Sequence, residues 1–268
     1  MIAHSGTQTA TLLNPELIVP NALPTDTPLP PTELRIIVPQ PPVVQPSVGE
    51  PSSWYVKSKI IFDFVIALIL LVLSLPIMLV TALLLKLTSP GPVLYSQIRL
   101  GRNGRPFPIY KIRTMVHNCE TSSGVCWSRP GDPRVTRLGR ILRATHLDEL
   151  PQLWNILRGD MSLVGPRPER PEFVPALERA IPRYRQRLLV RPGVTGLAQV
   201  QLPPDTDIAG VRRKLAHDLY YIRHFSAWLD LRILACTVLH VFGIPCHKLC
   251  RAFLMTAREA LPDETGDC

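Results

Sequence analysis

From Phe64 to Leu85 the chain runs for 22 residues without a charge, between Lys57, Lys59 and Asp63 on one side and Lys86 on the other. As a helix this stretch is roughly 33 Å long at about 1.5 Å per residue. That is enough to cross a hydrocarbon core about 30 Å thick. A segment of this kind demands a membrane as its solvent. Its midpoint carries Pro76, preceded by Ser74 in Leu73-Ser74-Leu75-Pro76. Proline has no N–H for the carbonyl of Val72 and its ring crowds that turn, so a bend is expected there. The Ser74 hydroxyl is suited to satisfying backbone loosened by that bend. Two forms follow: a plain spanning anchor, or a re-entrant helix that turns back at Pro76 to the side it entered. Basic residues flank both ends, so charge does not choose between them.

The residues before and after this element differ in kind. Residues 1–56 hold 11 of the 29 prolines, and one basic residue, Arg35, against Glu16, Asp26, Glu33 and Glu50. Proline at this density disfavours a packed core, and the segment is expected to be a disordered or polyproline-like leader. It lacks the basic region and apolar run of a secretory signal. Its charge of −3 leaves +12 on the remainder of a chain whose total is +9. Such a surface suits nucleic acid, anionic lipid or a phosphate-bearing substrate. The membrane element argues against nucleic acid. The six cysteines show no tight framework and are expected to be free thiols. Cys246 and Cys250, with His240 and His247 nearby, read as a helix that happens to carry these residues rather than as a metal site.

Beyond the turn Ser89-Pro90-Gly91-Pro92, two short apolar stretches flank Asn103-Gly104 and predict a β-hairpin, its second arm running from Phe107 to Met115. Strand spacing puts Lys111 and Arg113 on one face. Two cations so placed suit a diphosphate, and also an ordinary solvated face. Arg134, Arg137, Arg140 and Arg143, spaced by three, predict one stripe of a helix, here assigned to lipid headgroups.

Thr145 to Leu157 is the stretch with the most chemistry. Leu150, Leu153, Trp154 and Leu157 recur at helical spacing and predict an inward face. Pro151 fits only a first turn, which sets Asp148 and Glu149 at or before the helix N-terminus. There the acids admit two readings. Thr145 with Asp148 resembles a capping box, and acids suit the positive helix end. The same field favours an ionised carboxylate able to act as nucleophile or as magnesium ligand. Downstream, Gly165, Pro166 and Pro168 confine a loop that aims Arg167, and Arg191-Pro192-Gly193-Val194-Thr195-Gly196 forms a second rigid turn.

In order along the chain, these segments resemble the bacterial sugar transferase family, the polyprenyl-phosphate hexose-1-phosphate transferases. The resemblance rests on the proline-broken apolar helix, Thr88-Ser89-Pro90-Gly91-Pro92, Lys111-Ile112-Arg113-Thr114-Met115 and Leu147-Asp148-Glu149-Leu150-Pro151-Gln152-Leu153. It continues through residues 159–168 and 191–200, and covers about residues 57–243. The resemblance implies a monotopic enzyme with a re-entrant helix, its catalytic domain on the cytoplasmic face of a bacterial inner membrane. It implies that Asp148 attacks the sugar-bearing phosphate of a UDP-sugar, that UMP leaves, and that the phospho-sugar then passes to polyprenyl phosphate. It further implies Mg2+ held by Asp148 and Glu149, substrate phosphate held by Lys111, Arg113, Arg167 and Arg191, and acidic positions at Asp218 and Asp230 that could join the metal. Downstream glycosyltransferases would act on the product, toward an exopolysaccharide or other membrane-linked glycan.

The expected fold is helix-dominated α+β: a Pro-rich tail over 1–56, a membrane helix over 57–88, a catalytic domain with a small sheet and interfacial helices over 89–250, and a tail over 251–268. The segment from Trp228 to Gly243 is apolar enough to lie at the interface, yet Asp230, Arg232 and His240 interrupt it too often for it to span. Two rival readings remain. Asp205-Thr206-Asp207 has the form of the metal-binding pair of an unrelated glycosyltransferase class, and a non-catalytic membrane scaffold would release no UMP.

Overall fold

The computed structural model describes residues 53–119, 131–203 and 208–241. The Pro-rich tail to residue 52, Asp205 to Asp207, and Cys126, Cys246, His247, Cys250 and Cys268 lie outside the described residues.

Helix α1, Ser53–Thr88, begins ahead of residue 57 and contains the whole uncharged stretch. It is helical through Pro76, and the Ser74 hydroxyl donates to the Leu71 carbonyl at 3.0 Å, one turn back. Leu68, Leu73, Leu79 and Leu83 are among many large apolar side chains left exposed along it. Only 17% of its most apolar stretch is buried against the rest of the protein. A soluble core helix would show the reverse; this one is long and apolar enough to cross a membrane.

The two ends of α1 are treated differently from its middle. Near the N-terminal end, Lys59 pairs with Asp230 at 2.6 Å and approaches Asp63 at 3.5 Å. Asp63 accepts a hydrogen bond from Ser162 at 2.6 Å, and Asp230 accepts from Tyr55 at 2.8 Å and Tyr221 at 2.7 Å. Near the other end, Leu85 is buried in a small cluster with Ile112 and Leu142. Arg113 then donates to the carbonyls of Pro90 and of Ser89 just past the helix. Both ends therefore pack on the same folded body.

That body is assembled from short elements. Strands β1, Leu94–Leu100, and β2, Pro106–Ile112, pair antiparallel, with Leu94 opposite Ile112. Their connection turns on Asn103 at φ 58° and Gly104 at φ 73°, the left-handed region that Asn-Gly tolerates best. Helix α2, Arg137–Ala144, is started by Thr136, whose hydroxyl accepts from the Gly139 N–H at 2.9 Å. A 3₁₀ turn over Leu147–Glu149 leads into α3, Gln152–Leu157. Strand β3, Ser162–Val164, pairs parallel with β4, Gly193–Thr195. Between them come α4, Val174–Ala180, and a 3₁₀ turn, Tyr184–Leu189. Three helices are the last elements among the described residues: α5, Leu197–Gln201, α6, Ile208–Arg223, and α7, Ala227–Val241. The helix-dominated α+β expectation holds, with two two-stranded sheets among the described residues.

Ile156, Leu163, Val164, Leu177, Tyr184, Leu215, Tyr221 and Ile233 form the main core, and Ala67 of α1 is part of it. The parallel pair brings two glycine backbones together: a Cβ on Gly193 would sit 2.1 Å from the Gly165 nitrogen. Trp228, Leu231 and Val238 are exposed on one face of α7, while Asp230 on its other face is buried.

Removing one member of a buried ion pair strands the other, at a cost of about 3–5 kcal/mol. Asp230→Ala is therefore expected to lower the unfolding temperature sharply in detergent micelles. Asp230→Asn, which keeps the side-chain size and an acceptor oxygen for one of the two tyrosines, should lower it less, as read by thermal denaturation of the purified protein.

Candidate active site

The backbone sets Asp148 and Glu149 on the turn that packs against β2 and α2 and leads into α3. Neither acid is a helix cap. Thr145 closes α2 instead of opening α3: its hydroxyl donates to the carbonyls of Ile141 at 2.9 Å and Leu142 at 3.2 Å. The 3₁₀ turn is entered through His146 in the left-handed conformation, and no side chain caps it or α3, which Pro151 precedes. The capping-box reading fails because Thr145 is already committed to the preceding helix.

The two carboxylates live in different surroundings. Glu149 Oε1 lies 2.7 Å from Lys111 Nζ and 2.7 Å from an Arg167 guanidinium nitrogen. Burial alone would raise its pKa, but Arg167 and Lys111 outweigh that, and the carboxyl is held well below the usual range. Asp148 is 7% exposed and makes no hydrogen bond or ion pair with a described residue. Burial pushes its carboxyl up, opposed by Lys111 and reinforced by the neighbouring Glu149. One acid is neutralised in place; the other is buried, unpartnered and available.

The supporting shell explains why these positions are fixed. Asn155, fully buried on α3, accepts from the Tyr110 N–H at 3.2 Å and donates to the Pro108 carbonyl at 2.7 Å. It thereby stitches α3 to the strand that carries Lys111. Gln152 and Asn155 occupy the inward face, while Trp154, expected there, is 51% exposed. The short α3 turns Asn155 toward β2, which helical periodicity of apolar residues does not foresee.

Of the residues expected at the site, Lys111, Asp148, Glu149 and Arg167 come together. Arg113 does not join them: it is buried, with its guanidinium on the Ser89 and Pro90 carbonyls. Strand β2 ends at Ile112, so Arg113 escapes the alternation that would have set it beside Lys111. The Arg191 guanidinium lies over Gly159 and makes no hydrogen bond or ion pair with a described residue. Asp218 is bound to Arg187 at 2.8 Å and Asp230 to Lys59 at 2.6 Å. Neither reaches the dyad, and among the described residues no group of three or more His, Cys, Asp or Glu is arranged to hold a metal. Each stands as the counter-ion of a buried cation.

The arginine stripe also divides. Arg134 precedes α2 and pairs with Asp132 at 2.6 Å, and Arg137 and Arg140 are exposed. Arg143 turns inward: its Nε donates to Thr114 Oγ1 at 2.9 Å, and its charge acts on Asp148. Reading the four as one lipid-facing stripe missed it. Its signal was its place on the last turn of the helix that delivers the dyad.

The donor set fits a magnesium ion. Two adjacent carboxylates offer hard oxygens, and this ion commonly takes one or two carboxylates and completes its shell with water and substrate phosphate. Lys111, Arg143 and Arg167 add three cations around the acids, the composition expected where a diphosphate is to be gripped.

Comparison with known proteins gives the family. The family described as bacterial sugar transferase matches residues 54–243. A UDP-N-acetylgalactosamine-undecaprenyl-phosphate N-acetylgalactosaminephosphotransferase of Aeromonas hydrophila is 47% identical over 188 residues, covering 70% of this chain and 44% of the relative. A UDP-glucose:undecaprenyl-phosphate glucose-1-phosphate transferase of Caulobacter vibrioides is 49% identical over 182 residues, covering 67% and 68%. The exopolysaccharide production protein PSS of Rhizobium leguminosarum is 46% identical over 182 residues, covering 66% and 91%. The chain thus spans less than half of the Aeromonas protein and most of the Rhizobium one.

The opposite pKa shifts predict opposite stability effects, best measured as unfolding temperature against pH with divalent cations chelated. A raised carboxyl in the folded state opposes folding increasingly as pH climbs above its unfolded value, near 3.8 for Asp148. Asp148→Asn should therefore unfold at the same or a higher temperature than the parent at pH 7. A depressed carboxyl stabilises above its unfolded value, near 4.5 for Glu149, and that contribution is lost as pH falls. Glu149→Gln should accordingly unfold at a lower temperature at pH 7, with the gap closing toward acid pH.

Proposed function

Because the chain belongs to the bacterial sugar transferase family, we propose that it transfers a hexose-1-phosphate from a UDP-sugar to polyprenyl phosphate, and that it does so at the membrane surface through a covalent intermediate on Asp148. The observation that carries the reading is the asymmetry of the dyad. Asp148 is buried beside cations yet unpartnered, while Glu149 is locked between Lys111 and Arg167.

In this reading an Asp148 carboxylate oxygen forms a bond to the sugar-bearing phosphorus. The bond from that phosphorus to the bridging oxygen breaks, and UMP leaves with the electron pair. An oxygen of polyprenyl phosphate then attacks the same phosphorus, the bond to Asp148 breaks, and a polyprenyl diphosphate sugar is released with the carboxylate restored. Partial desolvation keeps Asp148 a better nucleophile than an exposed carboxylate, and its raised pKa reflects the same burial. Lys111, Arg143 and Arg167 neutralise charge on the diphosphate, without which an anion would not approach a second anion. Magnesium held by Asp148 and Glu149 would supply further charge neutralisation and orient the diphosphate. The relatives named for glucose and for N-acetylgalactosamine support a UDP-hexose as donor. Glycosyltransferases that extend a lipid-linked sugar would consume the product.

Helix α1 supports the membrane placement proposed here. A helix that crosses the bilayer delivers its two ends to opposite sides. Here Lys59 and Asp63 near one end, and Leu85 with the Ser89 and Pro90 carbonyls at the other, meet one catalytic body. This supports a re-entrant α1 that dips into one leaflet with Pro76 at its deepest point, and a catalytic domain on the cytoplasmic face of the inner membrane, where UDP-sugars are.

Two measurements test the proposal. With UDP-glucose or UDP-N-acetylgalactosamine and no lipid acceptor, UMP should appear in an amount near that of enzyme, and a phospho-sugar should be found on the peptide containing Asp148. Asp148→Asn should abolish both while remaining folded; normal turnover by this variant, or UMP release that requires polyprenyl phosphate, would refute the covalent route. Arg167→Ala should weaken catalytic efficiency by roughly 10- to 150-fold, the loss of a charge-assisted contact worth about 1.5–3 kcal/mol. Separately, single cysteines introduced by Ser53→Cys and Ser89→Cys should label from the same side of the membrane in intact cells, and opposite sides would leave a spanning anchor.

A further inference from the structure

Arg167 reaches Glu149 from a loop whose backbone is tied at every turn. The Gly165 N–H donates to the Thr195 carbonyl at 2.9 Å, and the Pro166 carbonyl accepts from the Gly193 N–H at 3.0 Å. The Arg167 carbonyl accepts from Arg187 at 2.9 Å, and the Pro168 carbonyl from Arg99 at 3.2 Å. The Glu169 carbonyl accepts from the Leu100 N–H at 3.0 Å. Of these ties, the one on Arg167 itself comes from a side chain with its own buried support. Arg187 is 3% exposed, on the 3₁₀ turn Tyr184–Leu189. It meets Asp218 through two nitrogens, at 2.8 and 3.0 Å, donates to the Tyr184 hydroxyl at 2.8 Å and contacts Glu169 at 3.4 Å. Lys214 holds the same Glu169 oxygen at 2.6 Å.

We infer that Arg187, oriented by Asp218, is a positioning residue: it fixes the Arg167 backbone and so sets where the Arg167 guanidinium stands against Glu149 and the substrate diphosphate. The geometry of a guanidinium is what the position uses. A planar fork can hold a carboxylate along one edge and a carbonyl from the same nitrogen's second hydrogen, at fixed angles. A lysine ammonium supplies the charge without that fixed fork. The cluster is built from two cations, Arg187 and Lys214, and two anions, Asp218 and Glu169, so its charge is balanced without any ligand. Arg99, which also acts on Glu169, is itself tied to the loop at the Pro168 carbonyl, and these contacts assign the cluster to holding the loop. The position also accounts for an acid at 218 on α6, remote from the dyad in bonding yet linked to it through Arg187, the Arg167 carbonyl and Glu149.

The inference rests on the proposed phosphoglycosyl transfer for its kinetic readout, and a coupling experiment separates the two. Arg187→Lys, Arg167→Lys and the double variant are compared for UMP release and for unfolding temperature. In the parent background Arg187→Lys should lower turnover about tenfold or more. In the Arg167→Lys background the same change should matter by less than about twofold, because the residue it positions is already displaced. Equal losses in both backgrounds would show a merely structural role and overturn the inference. Should Arg187→Lys fail to fold, Asp218→Asn, which keeps the side-chain size and frees one edge of Arg187, takes its place in the cycle. If the parent protein releases no UMP from any UDP-hexose, the functional reading falls while the positioning claim is still decided by stability. Glu149→Gln should then lower the unfolding temperature less in the Arg187→Lys background than in the parent, and equal decrements would overturn it.

Discussion

The pairing of Lys59 with Asp230 is the constraint on which the arrangement depends. It joins the start of a lipid-facing helix to a helix far along the chain, and it draws in Asp63, Ser162, Tyr55 and Tyr221. Charges so buried are tolerated only when their hydrogen-bonding capacity is met, so the cluster accepts few other geometries. The Ser162 and Tyr221 hydroxyls, whose single protons go to Asp63 and Asp230, also lie 2.9 and 3.1 Å from the carbonyl of Val164, the last residue of β3 before the loop that carries Arg167. The membrane element and the catalytic loop therefore share one set of polar contacts. At the far end of α1, Arg113 holds the Ser89-Pro90 turn as the chain enters the hairpin that carries Lys111.

Within the site the same electrostatic logic yields two unlike carboxylates side by side. Glu149 is strongly stabilised as an anion and serves to hold Lys111 and Arg167 near each other, which like charges would otherwise resist. Asp148 gains no such bond. A buried carboxylate without a partner is a local cost to folding, and such costs concentrate where a group is kept ready for chemistry. The supporting contacts are rigid and polar: Asn155 bridging α3 to β2, Arg143 braced by Thr114, and the loop of residues 165–169 fastened by its carbonyls.

Much of this was legible in the residue order, and the parts that were not share a cause. The apolar run, the hairpin at Asn103-Gly104, the dyad and the stiff Arg167 loop each depend on chemistry local to a few residues, and each stands where the sequence points. Arg113, Trp154, Asp218 and Asp230 went elsewhere. Periodicity says which residues share a side of an element but not which carbonyl or counter-ion will turn toward them. The Lys59–Asp230 pair is 171 residues apart in the chain. Nothing near Asp230 distinguishes a metal ligand from the partner of a distant lysine. Arg143 illustrates the converse: equal spacing grouped it with exposed arginines, although the last turn of a short helix had already rotated it toward Thr114.

That long separation has a consequence during synthesis. Lys59 and Asp63 emerge from the ribosome early, and Asp230 follows 171 residues later. At about 5–20 residues per second the interval is roughly 9 to 34 seconds. For that time an apolar helix long enough to cross a membrane carries a lysine without its Asp230 partner, free to pair with Asp63 one turn away. The nascent α1 exists before its permanent counter-ion does, and the late arrival of α7 fixes it to the finished domain. Translation order thus makes formation of α1 an early event and its capture by the domain a late one.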